Sequence, residues 1–117
     1  MFKAEGEFLV CLVSGDKRCS LNKLKKILNK KDVAMADADE VKQNTGFSIG
    51  GVAPTGHLKK LNIIVDKSLS RFKYVYGAAG HPDCVFKINY SELVKLTNGK
   101  EDEIIEWKNL KLLMYYY

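Results

Sequence analysis

The 117-residue sequence predicts an α/β domain built on a mixed, partly closed, barrel-like β-sheet with flanking helices. Three observations carry that expectation. Short stretches apolar at both parities alternate with short amphipathic ones, each helix-like stretch opens on a side chain able to cap it, and two glycine-rich segments interrupt strand-like sequence. A chain of this length forms one domain and buries about two thirds of its unfolded surface.

The elements follow in order. Glu7 to Val13 places Phe8, Val10 and Leu12 on one face and Leu9, Cys11 and Val13 on the other, as in a central strand covered on both sides. "SGDKR" is a turn. Ser20 caps a helix running to Asn29, with Leu21, Leu24, Ile27 and Leu28 on one side and Lys23, Lys25, Lys26 and Lys30 on the other. A short apolar piece spans Val33 to Ala36, and Asp37 with Glu40 forms a capping box for a second helix that Gly46 ends. Leu61 to Asp66 is a second strand buried on both faces; a helical turn covers Lys67 to Phe72, and "KYVYG" and "CVFKI" are further strands. Asn89 with Glu92 opens a helix through Thr97, Gly99 closes it, and "EIIEW" is the expected last strand.

Composition narrows the function. Nineteen Lys and Arg against fourteen Asp and Glu leave a net charge of +5, which suits a polyanionic partner. The apolar runs are strand-length, short of a membrane span, and the N-terminus lacks the plan of a signal peptide, so a cytoplasmic location is expected. Three cysteines at irregular spacing, without a CxxC pair and with two histidines, predict reduced thiols, no metal and no cofactor. No GxSxG, Walker loop or HExxH is present.

The chemistry-bearing segments are "GFSIGGVAPTGH", Gly46 to His57, and "GAAGHPD", Gly77 to Asp83. Glycine costs order unless backbone must turn sharply or approach something, and converging backbone N–H groups are what a carboxylate or a developing oxyanion requires. Two tight turns with no further role remain the plain alternative. His57 and His81 each follow such a loop and are either ligand-facing, or solvent-exposed or locally hydrogen-bonded. Asp66 and Asp83 have the positions of turn and cap residues, Cys84 that of a buried thiol, and the first helix's lysines form a solvated face or touch phosphates.

The strings "TGFSIGGVAPTGH", "LNIIVDKSL", "VYGAAGHPD" and "INYSELVKLTNGK" resemble, in order, the YbaK/ProX family of aminoacyl-tRNA editing domains, related to the editing insertion of bacterial prolyl-tRNA synthetases. The likeness runs from about Phe2 to about Trp107. It implies a pocket that receives the 3′ end of a mischarged tRNA, Ala- or Cys-tRNA(Pro), and hydrolyses the aminoacyl ester without metal or cofactor. On this resemblance Gly50, Gly51 and His81 are the catalytic candidates, the two glycines through backbone amides. Gly46, Val52, Pro54, Gly56, His57, Gly77, Ala78, Ala79, Gly80 and Asp83 form the substrate pocket. Lys17, Arg18, Lys25, Lys59 and Lys60 meet tRNA, and a prolyl-tRNA synthetase is the protein partner suggested.

One departure stands out. The resemblance implies a lysine in a Lys-Ser/Thr-Leu pattern on the first strand, shortly before the segment that "FKAEG" resembles, and the expectation is that this sequence, read from Met1, lacks it. Lys3 has the opposite strand parity and points to the other face. The expected organisation is therefore an editing-like domain over residues 1–108, truncated at its N-terminus, and a tail over 109–117 that covers core, docks to a partner or frays. The alternatives to a trans-acting deacylase are a catalytically silent tRNA- or protein-binding remnant, and a truncated gene product without a role.

Overall fold

A computed structural model of the chain describes residues 1–81 and 83–106; the predicted tail and the end of "EIIEW" at Trp107 lie outside the described residues. Strand β1 spans Phe2–Ala4, β2 Glu7–Leu12, helix α1 Leu21–Leu28, β3 Val33–Met35 and α2 Ala38–Thr45. After a long loop come β4 at Asn62–Asp66, a 3₁₀ turn at Lys67–Arg71, β5 at Val75–Ala78, β6 at Val85–Ile88, α3 at Tyr90–Thr97 and β7 at Lys100–Asp102.

The helix starts are made by the predicted side chains. Ser20 Oγ accepts from the Lys23 amide, Asn89 Oδ1 from the Glu92 amide, and Asp37 and Glu40 exchange both bonds of a capping box. Gly46 ends α2 in the left-handed region at φ +81°.

Five strands form one mixed sheet in the order β3-β1-β2-β4-β7, with β2 in the centre. β1 runs antiparallel to β2 and β3, while β4 runs parallel to β2 and β7. Leu9 lies opposite Phe2 and Cys11 opposite Ile64, so these residues share one face, where Phe2, Ala4, Leu9, Val33 and Ile64 pack with Leu24 of α1. The alternate residues Leu12, Ile63 and Val65 face the other way and pack with Leu69, Leu93 of α3, and Val75 and Ile88 of the β5–β6 pair. Both-parity apolarity in β2 and β4 thus reflects cover on both faces. β3 and β7 are the edges of this open sheet, and β5 with β6 forms a separate antiparallel ribbon that packs over the second face. No helix among the described residues is long and apolar enough to cross a membrane.

Two local expectations are corrected. The last strand among the described residues is Lys100–Asp102, ahead of "EIIEW", where Ile105 makes only an isolated bridge to Cys19. Ile104 and Ile105 are instead wholly buried, and the chain is pinned there by Ser20 N–H to the Ile104 carbonyl and Glu106 N–H to the Arg18 carbonyl. A buried apolar pair looks like a strand in sequence whether or not it joins a ladder. Helix α3 is closed by Asn98, at φ 50°, and not by Gly99. Gly99 serves close approach: a Cβ there would lie 2.8 Å from Val65 Cγ2 and 3.2 Å from the Ile63 carbonyl oxygen. Gly99→Ala is expected to destabilise the fold by about 1–3 kcal/mol through overpacking, read as a lower denaturant midpoint at unchanged slope.

Candidate functional site

The loop between α2 and β4 is folded by its own end. Leu58 N–H bonds the Thr45 carbonyl and Lys59 N–H the Asn44 carbonyl, doubling the loop back onto the C-terminus of α2. Thr45, buried, accepts from Phe47 N–H through its hydroxyl and donates that hydroxyl to Val41. Gly46 has no room for a side chain, since a Cβ would stand 2.9 Å from Leu58 Cγ. Within the loop Gly51 N–H closes a turn onto the Ser48 carbonyl, with Gly50 at φ +85°. His57 Nε2 lies 2.7 Å from the Ala53 carbonyl oxygen, and its ring meets Phe47 edge-on. It is the locally hydrogen-bonded histidine of the two alternatives.

The second loop is tied at its base by Ala79 N–H to the Cys84 carbonyl and Cys84 N–H to the His81 carbonyl. His81 Nδ1 accepts from the Asp83 amide and both side chains are exposed, as is Cys84, which had been expected to be buried. The two loops meet at Phe47: a Cβ on Gly80 would approach its ring to 3.2 Å.

A hollow of about 210 Å³ opens between the first loop and the β5–β6 ribbon at the C-terminal end of β2. Val52 and Pro54 from the first loop and Gly77 and Ala78 from β5 line it together. Cys11, Val13, Tyr76 and Phe86 complete much of the wall; sequence reasoning had assigned them no such place. A signal existed for Phe86, which lies opposite Gly77 across the ribbon, its ring 3.0 Å from where a Gly77 Cβ would stand. An aromatic side chain laid over a cross-strand glycine is a packing solution that alternation alone suggests.

The other expected pocket residues lie elsewhere. Gly46, Gly50, Gly51, Ala79, Gly80, His81 and Asp83 are outside the lining of this hollow. Gly56 and His57 line a larger cavity of about 480 Å³ at the start of β4, with Lys59 and Lys60 on its rim. The five lysine and arginine candidates form no single patch. Lys17 sits beside Asp16, Arg18 is exposed before α1, and Lys25 lies in a groove with Lys3 and Asp32. No lysine among the described residues lines the smaller hollow. Lys3 is held 3.0 Å from Glu40.

The hollow's thiol has a partner. Cys11 donates its S–H to Cys19, which lowers the Cys19 thiol below its usual range, while that bond and burial push Cys11 up. Cys11 is therefore a neutral wall residue. No cluster of three or more metal-ligating side chains is found among the described residues.

The described residues thus form a small mixed-sheet domain with a hollow between the α2–β4 loop and the β5–β6 ribbon. The profile of the aminoacyl-tRNA editing domain family matches residues 1–96, and the chain belongs to that family. Its relatives include YwhH, an uncharacterised protein of Bacillus subtilis (strain 168), 30% identical over 85% of this chain and 63% of that protein. The proline--tRNA ligase of Kosmotoga olearia (strain ATCC BAA-1733 / DSM 21960 / TBF 19.5.1) is 27% identical over 96% of this chain and 18% of the ligase. Among solved structures, one provisionally described as a trans-editing enzyme for prolyl tRNA synthetase superposes at a TM-score of 0.85, with 33% identity over 90% of this chain and 66% of that one. The chain thus spans under two thirds of the length of the curated relatives it matches.

Proposed function

We propose that this domain hydrolyses the ester joining a small amino acid to the 3′ end of a tRNA, acting in trans on Ala- or Cys-tRNA(Pro) in the cytoplasm. The observation that carries the reading is the hollow shared by Val52 and Pro54 with Gly77 and Ala78. Its walls are small or apolar, which suits a compact, uncharged acyl group. Hydrolysis adds water to the ester carbonyl carbon, giving a tetrahedral oxyanion; the carbon–oxygen bond to the ribose then breaks and the ribose oxygen takes a proton. Loop amides stabilise the oxyanion in this reading, each worth on the order of 3 kcal/mol. The Gly51 amide is engaged by Ser48, so its service as a donor requires that turn to open. His81 accepts at Nδ1 from the Asp83 amide and lies outside the lining of the hollow, so the reading does not depend on its ring.

Release of alanine from alanyl-tRNA(Pro), or of cysteine from cysteinyl-tRNA(Pro), above the buffer rate is the expected result. A rate equal to buffer on both removes the enzyme reading for this chain. Val52→Trp is expected to cut the measured rate by about 100-fold, because displacing a reacting group by 1 Å costs about that much. Full activity in that variant would move the acyl group out of the hollow.

A second reading is favoured by one observation: Lys3 is bound to Glu40 and no lysine lines the hollow among the described residues. On that reading the domain binds tRNA without hydrolysing its ester. Affinity then falls steeply between low and moderate salt, and salt-independent or undetectable binding counts against it.

A further inference from the structure

The β5–β6 ribbon has two faces. Val75, Gly77, Phe86 and Ile88 belong to its inner one, and Val75 and Ile88 pack on the core. Tyr76 and its cross-strand partner Lys87 belong to the outer one, where Tyr76 is 67% exposed. Tyr74 continues that face: the Lys87 ammonium lies 4.1 Å from the centre of its ring and the Lys73 ammonium 5.7 Å. Just upstream the Arg71 guanidinium stands 4.5 Å over the ring of Phe72, while also bonding Asp16 at 2.9 Å. Phe72 and Tyr74 are exposed as well. The sequence carries no Asp or Glu from Arg71 to Pro82.

Three exposed rings on one short segment are not accounted for by the fold, since the core contacts of the ribbon come from its other face. Rings interleaved with cations are the arrangement that unpaired nucleotides recognise, because every base has a π-face to stack and every step carries a phosphate. The position fits. Tyr76 is part of the wall of the hollow as well as of the outer face, so the platform begins where the ester would end.

We infer that Phe72, Tyr74 and Tyr76, with Lys73 and Lys87, form a stacking platform for the unpaired nucleotides that lead to the ester-bearing end of the RNA. The inference rests on the editing reading for its place beside the hollow, but its test does not need the ester. The probe is a short single-stranded RNA with a free 3′ end and no amino acid, followed by fluorescence anisotropy at low salt.

Tyr74→Ala and Tyr76→Ala are each expected to weaken binding about tenfold, since stacking on one ring is worth that order. Tyr76→Phe keeps the affinity, because the ring and not its hydroxyl does the work. Lys87→Ala reduces the slope of affinity against salt by about one contact. A double-stranded RNA of the same length binds more weakly. Unchanged binding in the double alanine variant, equal binding of the duplex, or no binding of the single strand overturns the platform. So does a role for these rings in self-association or capture of a synthetase instead of RNA, seen as an elution shift abolished by the same variants. Deacylation measured on the same preparation keeps the two readings apart. Ring-dependent RNA binding without hydrolysis leaves the platform and removes the enzyme; hydrolysis with ring-independent binding does the reverse.

Discussion

Asp66→Ala is expected to lower the unfolding free energy by about 1–3 kcal/mol, the cost typical of leaving a buried hydrogen-bond donor without its acceptor. Asp66 is fully buried at the end of β4. Its Oδ2 accepts from the Ser68 amide at 3.1 Å and from the Ser68 hydroxyl, and its Oδ1 accepts from the Ile104 amide at 2.9 Å. The first pair caps the 3₁₀ turn; the last joins segments 38 residues apart. Alanine leaves the Ile104 amide buried without an acceptor, and Ile104 and Ile105 are themselves wholly buried beside the start of α1. For a domain of this size each kcal/mol moves Tm by about 4–8 °C, so the loss is visible in a thermal scan. Asp66→Asn keeps one acceptor but turns a donor toward donors, and is expected to lose roughly half as much. Hydrogen exchange at Ile104 is the local readout, and a loss below about 1 kcal/mol in the alanine variant would refute the network's importance. The sequence had placed Asp66 as a cap, and in the structure it caps; that it also anchors "EIIEW" was out of reach, because the partner is remote in sequence.

That contrast runs through the molecule. Ser20, Asp37 and Asn89 were legible as helix starts because a cap is a local contract between a side chain and an amide two or three residues on. The two central strands were legible because cover on both faces leaves apolar residues at both parities. Ile104 and Ile105 misled because burial without pairing has the same signature as burial with it. In the candidate site, the glycine-rich loops could be found from composition, and Val52, Pro54, Gly77 and Ala78 do share a wall. Which amides those loops keep for themselves is a question of turn closure, and Gly51 and Ala79 spend theirs on Ser48 and Cys84. The basic residues scattered for a related reason: Lys17, Lys25 and Lys59 sit on unrelated elements, and nothing in their spacing says which surface each one joins. The aromatic and basic outer face of the ribbon was hidden inside a correct strand assignment, since "KYVYG" names the strand without naming its faces.

Joining Lys-Thr-Leu ahead of Met1 is expected to raise ester hydrolysis by about 10²–10³-fold, the range measured for a single group aimed at a developing oxyanion. The argument is one of register. β1 runs antiparallel to β2 with Lys3 opposite Phe8 and Phe2 opposite Leu9, so each step upstream moves one residue forward along β2. Met1 continues the strand already, its carbonyl accepting from Ala36 N–H. The added leucine then falls opposite Cys11, the threonine opposite Leu12 and the lysine opposite Val13. Cys11 and Val13 are both walls of the hollow. Alternation keeps the lysine on the face of Phe2, whereas Lys3 is turned to the other face and held by Glu40. The hollow's Leu69, Val75, Ile88 and Leu93 pack on the opposite face, so the ammonium reaches the hollow round the end of β2, past Cys11 and Val13, where no lysine competes among the described residues. A Met-Thr-Leu extension is the control, matching length and strand pairing without the charge. If the lysine and methionine versions release alanine from alanyl-tRNA(Pro) at the same rate, the hollow is not where the ester carbonyl sits. A rise with lysine alone ties the first-strand cation that the family resemblance implies to this wall.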